Sequence, residues 1–342
     1  MIELTPDNTI DYLRRMGWID GSGHVEPLSG GVSNFVLRVV TPERVFVLKQ
    51  SRPQLRTRDA WFSDLDRIHR EQEVMQALHP HLPDVVPEVL HVDRVNYVYA
   101  MSHAPRDATV WKSDLLEGRI DLSLGAKVGQ VLGLMHQISA DQRSRFEAFR
   151  DHHVYVQLRV EPFYVRVQER CPDVAAAIQP IIDEMLTRQE ALCHGDYTPK
   201  NILIHPSPLR GRGAGGEGVG FTLVDYETAH LGDPTMDLGL FLAHLTLKSI
   251  RAPEKCAELV ALMRTFWQSY AREATFRPLR ELEHRGVKHL GVCLLARIDG
   301  TSPVDYLPDE SKREAVRQIG RAILRDGVDR WEDVWQYLGG TP

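Results

Sequence analysis

A short polar segment of the chain combines the side chains that phosphoryl transfer requires. The segment is His194-Gly195-Asp196-Tyr197-Thr198-Pro199-Lys200-Asn201, and a later apolar run ends in Val224-Asp225-Tyr226-Glu227. Transfer of a phosphoryl group to a hydroxyl needs a carboxylate that accepts the hydroxyl proton and oxygen ligands for the magnesium ions that bridge the phosphates. We expect Asp196 to accept the proton, and Asn201 and Asp225 to bind magnesium.

Two apolar segments that follow are predicted to position these ligands. Ile202-Leu203-Ile204 and Phe221-Thr222-Leu223-Val224 have the composition of paired strands. A hairpin of this kind would place Asn201 and Asp225 at neighbouring strand ends. If the second strand continues, Glu227 returns to the face of Asp225 and is a candidate third magnesium ligand. A solvated acid in a turn remains the alternative for Glu227.

The chain resembles the small-molecule kinases of the aminoglycoside phosphotransferase, choline kinase and methylthioribose kinase superfamily. The residues that carry the resemblance are His194-Gly195-Asp196 with Asn201, Asp225-Tyr226-Glu227, and Gly232-Asp233-Pro234 with Asp237-Leu238-Gly239. The resemblance implies an α+β, two-lobed protein-kinase-like fold with a small β-rich lobe and a larger, mainly helical lobe. It also implies an enzyme that uses ATP and Mg²⁺ to phosphorylate a hydroxyl of a small molecule. In such an enzyme Asp237 opens a helix and supports the catalytic loop through backbone amides, a place compatible with a helix N-cap.

The N-terminal part offers a loop for the phosphates of a nucleotide. Within Leu28–Asn34, Gly30 and Gly31 would let the backbone approach an anion closely, and Ser33 and Asn34 add hydrogen-bonding groups. An ordinary hairpin turn would also fit this segment taken alone.

A lysine and an acid are expected to complete the nucleotide clamp. The predicted strand Val45–Lys49 ends in a lysine where the apolar pattern would otherwise continue, so Lys49 is the candidate for the α- and β-phosphates. An amphipathic helix follows, with an apolar stripe formed by Ile68, Val74, Met75 and Leu78. The resemblance favours Glu71 on this helix as the partner of Lys49, while Glu73 remains open.

The adenine site has a weaker signature. Met101 and Ser102 lie at the end of the predicted strand 96–101 and at the start of the connector, where kinases bind adenine through backbone groups. An ordinary loop is equally compatible with these residues.

Length and composition agree with two lobes. The 342 residues suit an N-lobe at 1–101 and a C-lobe at 102–342. Core helices are predicted at 123–138, 236–247, 256–270 and 314–324. The glycine-rich stretch 206–220 is expected to be a flexible insertion at the hairpin tip.

Composition also excludes several classes of protein. No apolar run is long enough to span a membrane, and the first residues lack the features of a secretory signal, so we expect a cytoplasmic protein without a membrane partner. The net charge of −6 argues against binding nucleic acid. The four cysteines have no metal-ligand spacing and are expected to be reduced. The resemblance places a weak basic segment near the nucleotide cleft, and a solvated face is the favoured alternative for it. The segment contains Arg52, Arg56, Arg58, Arg67 and Arg70.

The acceptor is the least determined part of the site. Segments 155–164 and 295–300 combine aromatic and charged residues with apolar ones and are the pocket candidates. Arg159 or Arg297 would bind an anionic or hydroxyl-rich substrate, and a structural ion pair is the alternative for each. No strongly acidic pocket, as a cationic aminoglycoside would require, is visible in the sequence.

Two other classes are weaker alternatives. A protein kinase would carry arginine before the catalytic aspartate and lysine two residues after it, where this chain has Gly195 and Thr198. A catalytically inactive kinase-like binding protein would be expected to lose at least one of Lys49, Asp196, Asn201 and Asp225, and all are present.

Overall fold

The protein forms two compact units in the computed structural model, which describes residues 2–28, 34–52, 64–208 and 217–339. The first unit comprises Met1–Ala108, Leu203–Gly216 and Gly220–Glu227, and the second comprises Thr109–Ile202, Glu217–Val219 and Thr228–Pro342. The predicted lobes, 1–101 and 102–342, remain a prediction. Most of the described residues between Leu203 and Glu227 pack with the first unit, although the sequence analysis assigned them to the second lobe.

Strands and helices follow one another along the described residues. The strands are β1 (His24–Pro27), β2 (Asn34–Val40), β3 (Val45–Ser51), β4 (Val89–Asp93), β5 (Val98–Ser102), β6 (Thr109–Val110), β7 (Ala191–Cys193), β8 (Ile202–Pro208), β9 (Glu217–Leu223) and β10 (His230–Gly232). The helices are α1 (Pro6–Arg15), α2 (Arg67–Leu78), α3 (Trp111–Leu116), α4 (Leu122–Asp141), α5 (Arg143–Phe146), α6 (His153–Tyr155), α7 (Arg166–Arg170), α8 (Ala175–Thr187), α9 (Thr235–Arg251), α10 (Cys256–Glu273), α11 (Leu279–Asp299), α12 (Glu310–Arg325) and α13 (Trp331–Gly339).

The first unit is built on a five-stranded antiparallel sheet in the order β1-β2-β3-β5-β4. Alternate side chains of β2 and β3 face an apolar core that α1 completes, and this core includes Leu13, Leu37, Val39, Phe46 and Leu48. Strand β3 continues to Ser51, two residues beyond the predicted end at Lys49. The side chain of Lys49 is therefore placed by a central strand and not by a strand end.

Helix α2 presents the predicted apolar stripe to the interior of the first unit. Ile68, Val74, Met75 and Leu78 are all buried. The 3.6-residue period of an α-helix brings these positions to one face, so the sequence pattern is confirmed.

The second unit is mainly helical and contains the four predicted core helices, which α4, α9, α10 and α12 represent with slightly longer bounds. Helices α4 and α10 approach closely at Gly129, where an added Cβ would lie 2.2 Å from the carbonyl oxygen of Phe266. A larger residue at Gly129 would force the two helices apart. The predicted α+β fold class, with a sheet-rich part and a larger helical part, is confirmed.

Strands β8 and β9 are hydrogen-bonded neighbours, as predicted for the segments around Leu203 and Leu223. The predicted insertion 206–220 is too long, because β8 extends to Pro208 and β9 begins at Glu217. Residues 209–216 lie outside the described part of the chain. Among the described residues, no helix combines the length and apolar character needed to cross a bilayer.

Candidate active site

The predicted catalytic segment follows β7 in the second unit. Strand β7 pairs in antiparallel register with β10, with Cys193 opposite His230. The backbone N–H of Leu192 donates to the hydroxyl of Ser139 on α4 at 2.7 Å. The chain then turns through His194 to Asp196 and forms a 3₁₀ turn at Pro199–Asn201. A buried strand on one side and a short turn on the other therefore fix the position of Asp196.

Gly195 is required by the backbone of this turn. Its φ angle is +76°, a left-handed conformation that glycine adopts without strain. A Cβ at this position would lie 2.6 Å from the carbonyl oxygen of Thr228, which real contacts do not allow. The hydroxyl of Thr228 donates to the carbonyl oxygen of His194 at 3.2 Å and closes the same turn.

The carboxylate of Asp237 stabilises the turn through backbone hydrogen bonds, as the resemblance implied. Its two carboxylate oxygens accept the backbone N–H groups of His194 and Gly195 at 2.7 and 2.9 Å. Burial would raise the pKa of Asp237, but the hydrogen bond and charge of His136 and the nearby His194 lower it below its usual range. Asp237 lies within the first turn of α9, after the capping residue Pro234, and is therefore not a helix N-cap.

The carboxylate of Asp196 is buried, and its described contacts include an amide, a guanidinium and an ammonium group. The amide Nδ2 of Asn201 donates to Oδ2 of Asp196 at 2.9 Å and to its backbone carbonyl oxygen, also at 2.9 Å. The guanidinium of Arg159 lies 2.8 Å from Oδ2, and the ammonium of Lys200 lies 2.9 Å from the same atom. Asp196 and Asn201 are thus brought together, as their spacing predicted.

Sequence reasoning did not foresee the contacts of Arg159 and Lys200 with Asp196. Arg159 lies in a π-helical segment, Val156–Val165, and its Nε also donates to the carbonyl oxygen of Gly195 at 2.9 Å. The segment contains Pro162, which lacks a backbone N–H, and π-helical turns are frequent at functional sites. A signal was available only for Lys200, which lies four residues after Asp196 in the same short turn.

A second set of candidate residues lies in the first unit around Lys49. Its ammonium group donates to Glu71 at 2.7 Å and to Asp225 at 2.8 Å. Burial would lower the pKa of Lys49, but the carboxylates of Asp225 and Glu71 raise it well above its usual value. Lys49 and Glu71, which are buried, and Asp225, which is partly exposed, therefore form a cluster of one cation and two acids.

The structure distinguishes between the two acids that remained open on α2. Glu71 is buried and contacts Lys49, and it also accepts the backbone N–H of Tyr226 at 3.2 Å. Glu73 is paired with Arg94 instead. Two residues apart on a helix are about 200° apart around its axis, so only one of the two acids can face Lys49.

Asp225 has an unusual backbone conformation for a residue other than glycine. Its φ angle is +75°, in the left-handed region. Strand β9 ends at Leu223, whose N–H donates to the carbonyl oxygen of Val85, and a 3₁₀ turn covers Tyr226–Thr228. Strained backbone of this kind persists where surrounding contacts hold it, and here the contact with Lys49 does so.

The expectation that a continuing strand carries Glu227 to the face of Asp225 is wrong, because the chain turns after Leu223. Oε2 of Glu227 accepts from Arg67 at 3.2 Å and from Nδ2 of Asn34 at 3.1 Å. Arg67 is fully buried, so its predicted place on a solvated basic face is also wrong. Glu227 as a magnesium ligand and Asn34 as a phosphate contact both stay predictions.

The remaining predicted nucleotide contacts are only partly described. Gly30, Gly31 and Ser33 lie outside the described residues, as do Arg56 and Arg58 of the basic segment. Met101 and Ser102 are the last residues of β5, and the N–H of Ser102 donates to the carbonyl oxygen of Glu88 at 2.8 Å. The adenine-binding role of Met101 and Ser102 stays a prediction.

Preformed metal sites and disulfides are absent from the described part of the chain. There, no group of three or more His, Cys, Asp or Glu side chains is arranged to hold a metal ion. Cys171, Cys193 and Cys293 are buried free thiols, and Cys256 is a partly buried one. Burial raises the pKa of the Cys193 thiol well above its usual value, so this neighbour of His194 is a packing residue and not a nucleophile.

Comparisons with known proteins define the class to which this fold and site belong. Residues 24–282 match the phosphotransferase enzyme family, so the chain belongs to that family. The chain is 23% identical to a methylthioribose kinase of Bacillus mycoides over 80% of this chain and 74% of that protein. The predicted family membership is confirmed.

Solved structures of the same fold include kinases of small molecules. An ethanolamine kinase of Plasmodium vivax superposes with a TM-score of 0.55 at 13% identity, covering 94% of this chain and 88% of that one. A spectinomycin phosphotransferase, solved in complex with ADP and spectinomycin, superposes with a TM-score of 0.51 at 12% identity, covering 99% and 95%. At these identities the similarity establishes the fold.

Proposed function

We propose that this protein transfers the γ-phosphoryl group of ATP, in a magnesium-dependent reaction, to a hydroxyl group of a small molecule. The observation that carries the proposal is the contact of the buried Lys49 with both Glu71 and Asp225, at 2.7 and 2.8 Å. These three residues are far apart in the sequence, and together they supply a cation for phosphate oxygens and a carboxylate for a metal. The relatives named as kinases, and the bound ADP in one structure of the same fold, support ATP as the donor.

In this proposal the second unit supplies the groups that act on the acceptor hydroxyl. The hydroxyl oxygen forms a bond to the γ-phosphorus, the bond from that phosphorus to the bridging oxygen of ADP breaks, and the hydroxyl proton passes to Asp196. Asn201, Arg159 and Lys200 hold the carboxylate of Asp196 in one orientation. Fixed orientation of a reacting group is a major source of rate acceleration in phosphoryl transfer.

Two side chains of the protein offer the oxygen ligands that a magnesium ion in a kinase requires. Nδ2 of Asn201 donates to Asp196, which leaves the amide oxygen Oδ1 as an acceptor. Asp225 adds a carboxylate, and Mg²⁺ in kinases is held by few protein oxygens together with the substrate phosphates. We therefore assign Asn201 and Asp225 to magnesium, whose charge would neutralise the phosphates during transfer.

The test is ATP consumption with magnesium across a panel of hydroxyl acceptors, which should include methylthioribose, pentoses, amino alcohols, amino sugars and hydroxy acids. We expect at least one acceptor to give turnover that Asp196→Asn lowers by about a thousandfold or more, because the general base and its positioning are lost together. Asp183→Asn, which changes an exposed carboxylate on α8, is the matched control.

The nucleotide must still bind to the Asp196→Asn protein. If Asp196→Asn abolishes nucleotide binding but spares turnover, the assignment of Asp196 is wrong. Binding of Mg-ATP without turnover on any acceptor would favour a kinase-like binding protein.

A further inference from the structure

Positive charge exceeds negative charge around Asp196 in the second unit. Besides Arg159 and Lys200, Arg297 on α11 interacts electrostatically with this carboxylate. Arg159 and Arg297 both stack on the ring of Phe163, each with its central carbon 5.8 Å from the ring centre. One buried carboxylate is therefore accompanied by three cationic side chains.

Two further cationic side chains contact a second aromatic ring, that of Tyr306. The ammonium groups of Lys112 on α3 and Lys248 on α9 lie 5.4 and 5.2 Å from the ring centre of Tyr306. Burial lowers the pKa of Arg297, while the nearby Tyr306 and Asp196 act in the opposite direction. Arg297 therefore interacts electrostatically with both Tyr306 and Asp196, and it shares the Phe163 ring with Arg159, the ion-pair partner of Asp196.

The buried polar groups of this cluster have incomplete hydrogen bonding. Lys248 is only 2% exposed, yet among the described residues its ammonium donates to a single acceptor, the carbonyl oxygen of His244, at 3.1 Å. Nε of Arg297 and the hydroxyl of Tyr306 are buried and have no partner among the described residues. Buried donors without acceptors are costly, so a site that keeps two such groups beside an ammonium with one acceptor is suited to a ligand that supplies acceptors.

Lys248, which is buried, and Arg297, which is partly buried, are not neutralised by carboxylates of the described residues. Among the described residues, neither Lys248 nor Arg297 forms an ion pair, and the hydrogen bonds of both go to backbone carbonyl oxygens. Lys112 is paired only with Asp305, at 3.7 Å, and Asp305 is largely exposed. Leaving buried ammonium and guanidinium groups without counter-charges lowers stability, which a purely structural cluster would have no reason to retain.

The lowered pKa values of Lys248 and His244 agree with this concentration of positive charge. Burial lowers the pKa of Lys248 to about 7, with further lowering by Lys112, Arg297 and Arg251. Burial, followed by the charges of Arg297 and Lys248, also lowers the pKa of His244 well below its usual value. An anion placed among these side chains would raise both pKa values again.

We propose that the acceptor of this phosphotransferase carries an anionic group, a carboxylate or a phosphate monoester, which Lys248, Arg297 and the hydroxyl of Tyr306 bind while its hydroxyl faces Asp196. The substrate class rests on the proposed function, because it assumes that Asp196 receives the acceptor hydroxyl. The anion site itself rests only on the geometry of the second unit.

The first experiment measures the anion site without catalysis. Inorganic phosphate is titrated against the full-length protein in the absence of nucleotide, and binding is followed by the rise of the melting temperature. We expect saturable stabilisation of the wild type and of Lys49→Met. Loss of a charge-assisted hydrogen bond should weaken binding about tenfold or more in Lys248→Met and Arg297→Met. Lys255→Met, which removes an exposed lysine paired with Glu258, is the matched control.

A more conservative variant tests the anion site even if Lys248→Met or Arg297→Met fails to fold. Tyr306→Phe removes only a hydroxyl that has no partner in the described part of the chain, so the melting temperature of the ligand-free protein should be unchanged or higher. Phosphate binding should nevertheless weaken several-fold. If phosphate does not bind the wild type, or binds Lys248→Met, Arg297→Met and Tyr306→Phe as tightly as the wild type, the anion site is refuted.

The second experiment compares matched acceptors in the ATP-consumption assay. Glycerate is compared with glycerol, ribose 5-phosphate with ribose, and ethanolamine provides a cationic acceptor. We expect the anionic member of a pair to have the higher kcat/KM, and Lys248→Met to lower that advantage about tenfold or more. The glycerate and ribose 5-phosphate arms distinguish a carboxylate from a phosphate.

The two experiments separate failure of the inference from failure of the proposed function. Turnover that depends on Asp196 but prefers glycerol, ribose or ethanolamine would overturn the anionic acceptor and leave the kinase activity in place. Phosphate binding that depends on Lys248, without turnover on any acceptor, would leave the anion site in place and argue against the kinase activity.

Discussion

Arg159 and Asp196 form a buried ion pair, in which Nη2 of the guanidinium lies 2.8 Å from Oδ2 of the carboxylate. The same guanidinium donates through Nε to the carbonyl oxygen of Gly195 at 2.9 Å. One side chain thus fixes both the carboxylate of Asp196 and the backbone of the turn that carries it. Arginine suits this place because its planar group presents donors in a fixed arrangement.

Arg159→Met should therefore lower kcat more than it changes nucleotide binding. We expect a fall in kcat of about tenfold to a hundredfold, because small displacements of a reacting group have large effects on rate. Steady-state kinetics with ATP varied would measure this split between kcat and KM. Arg166→Met, an exposed arginine paired with Glu169, is the control. An unchanged kcat in a folded Arg159→Met protein would remove Arg159 from the positioning of Asp196.

Glu71 and Glu73 form a matched pair for testing the nucleotide clamp. Glu71→Gln removes the charge that faces Lys49, and Mg-ATP binding should weaken by about tenfold, since charged hydrogen bonds contribute more than neutral ones. Glu73→Gln changes the exposed partner of Arg94 and should have little effect. Calorimetric titration of both variants with Mg-ATP measures the difference, and equal affinities would contradict the assigned pairing.

Asp225→Asn tests the magnesium assignment in the first unit. The amide is similar in size but lacks the charge that a hard cation prefers. We expect nucleotide affinity in the presence of magnesium to fall by about tenfold or more, and affinity without magnesium to change little. Titrations with and without the metal give this comparison within one protein. If magnesium strengthens nucleotide binding to Asp225→Asn as much as to the wild type, Asp225 is not a metal ligand.

Asp237→Asn should destabilise the protein because both oxygens of Asp237 accept backbone N–H groups in a fully buried position. The amide group would direct an N–H donor at another donor, and we expect a loss of about 3 kcal/mol in the free energy of unfolding. Urea denaturation measures it. Asp141→Asn, at the partly exposed end of α4, should cost little. Equal stabilities of the two variants would show that the predicted support of the turn is energetically minor.

The lowered pKa of Lys248, about 7, predicts a pH dependence of acceptor binding. Burial disfavours the charged ammonium, so Lys248 loses its proton in the folded protein well below the usual lysine pKa of about 10.4. The unfolded chain keeps this proton between pH values of about 7 and about 10.4. The free energy of unfolding of the ligand-free protein should therefore rise with pH over this range. Binding of an anionic acceptor needs the charged form, so its KM should rise as pH passes upward through about 7.

The other titratable groups that face Lys248 should not cause a rise of KM near pH 7. The pKa of His244 lies well below its usual value, and burial raises the pKa of Tyr306 to about 12. The pH profile of KM for an anionic acceptor, measured for the wild type and for Lys248→Met, checks the assignment. A rise that persists in Lys248→Met would show that another group titrates.

Sequence by itself determined several of the elements and the family of this protein. Apolar periodicity identified α2, α4, α9, α10 and α12, because the period depends only on neighbours along the chain. The spacing of His194, Gly195, Asp196 and Asn201 identified the turn that brings Asp196 and Asn201 together, because all of these residues lie in one short segment. Together with Asp225 and Asp237, these motifs identified the family.

Tertiary structure decided which distant side chains meet. Glu71 rather than Glu73 faces Lys49, the chain turns after Leu223 so that Glu227 meets Arg67, and Arg159 reaches Asp196. The cationic cluster around Tyr306 is another example, because its members come from different helices and a loop. No local pattern encodes such contacts, since they depend on how packed elements are rotated and spaced relative to one another.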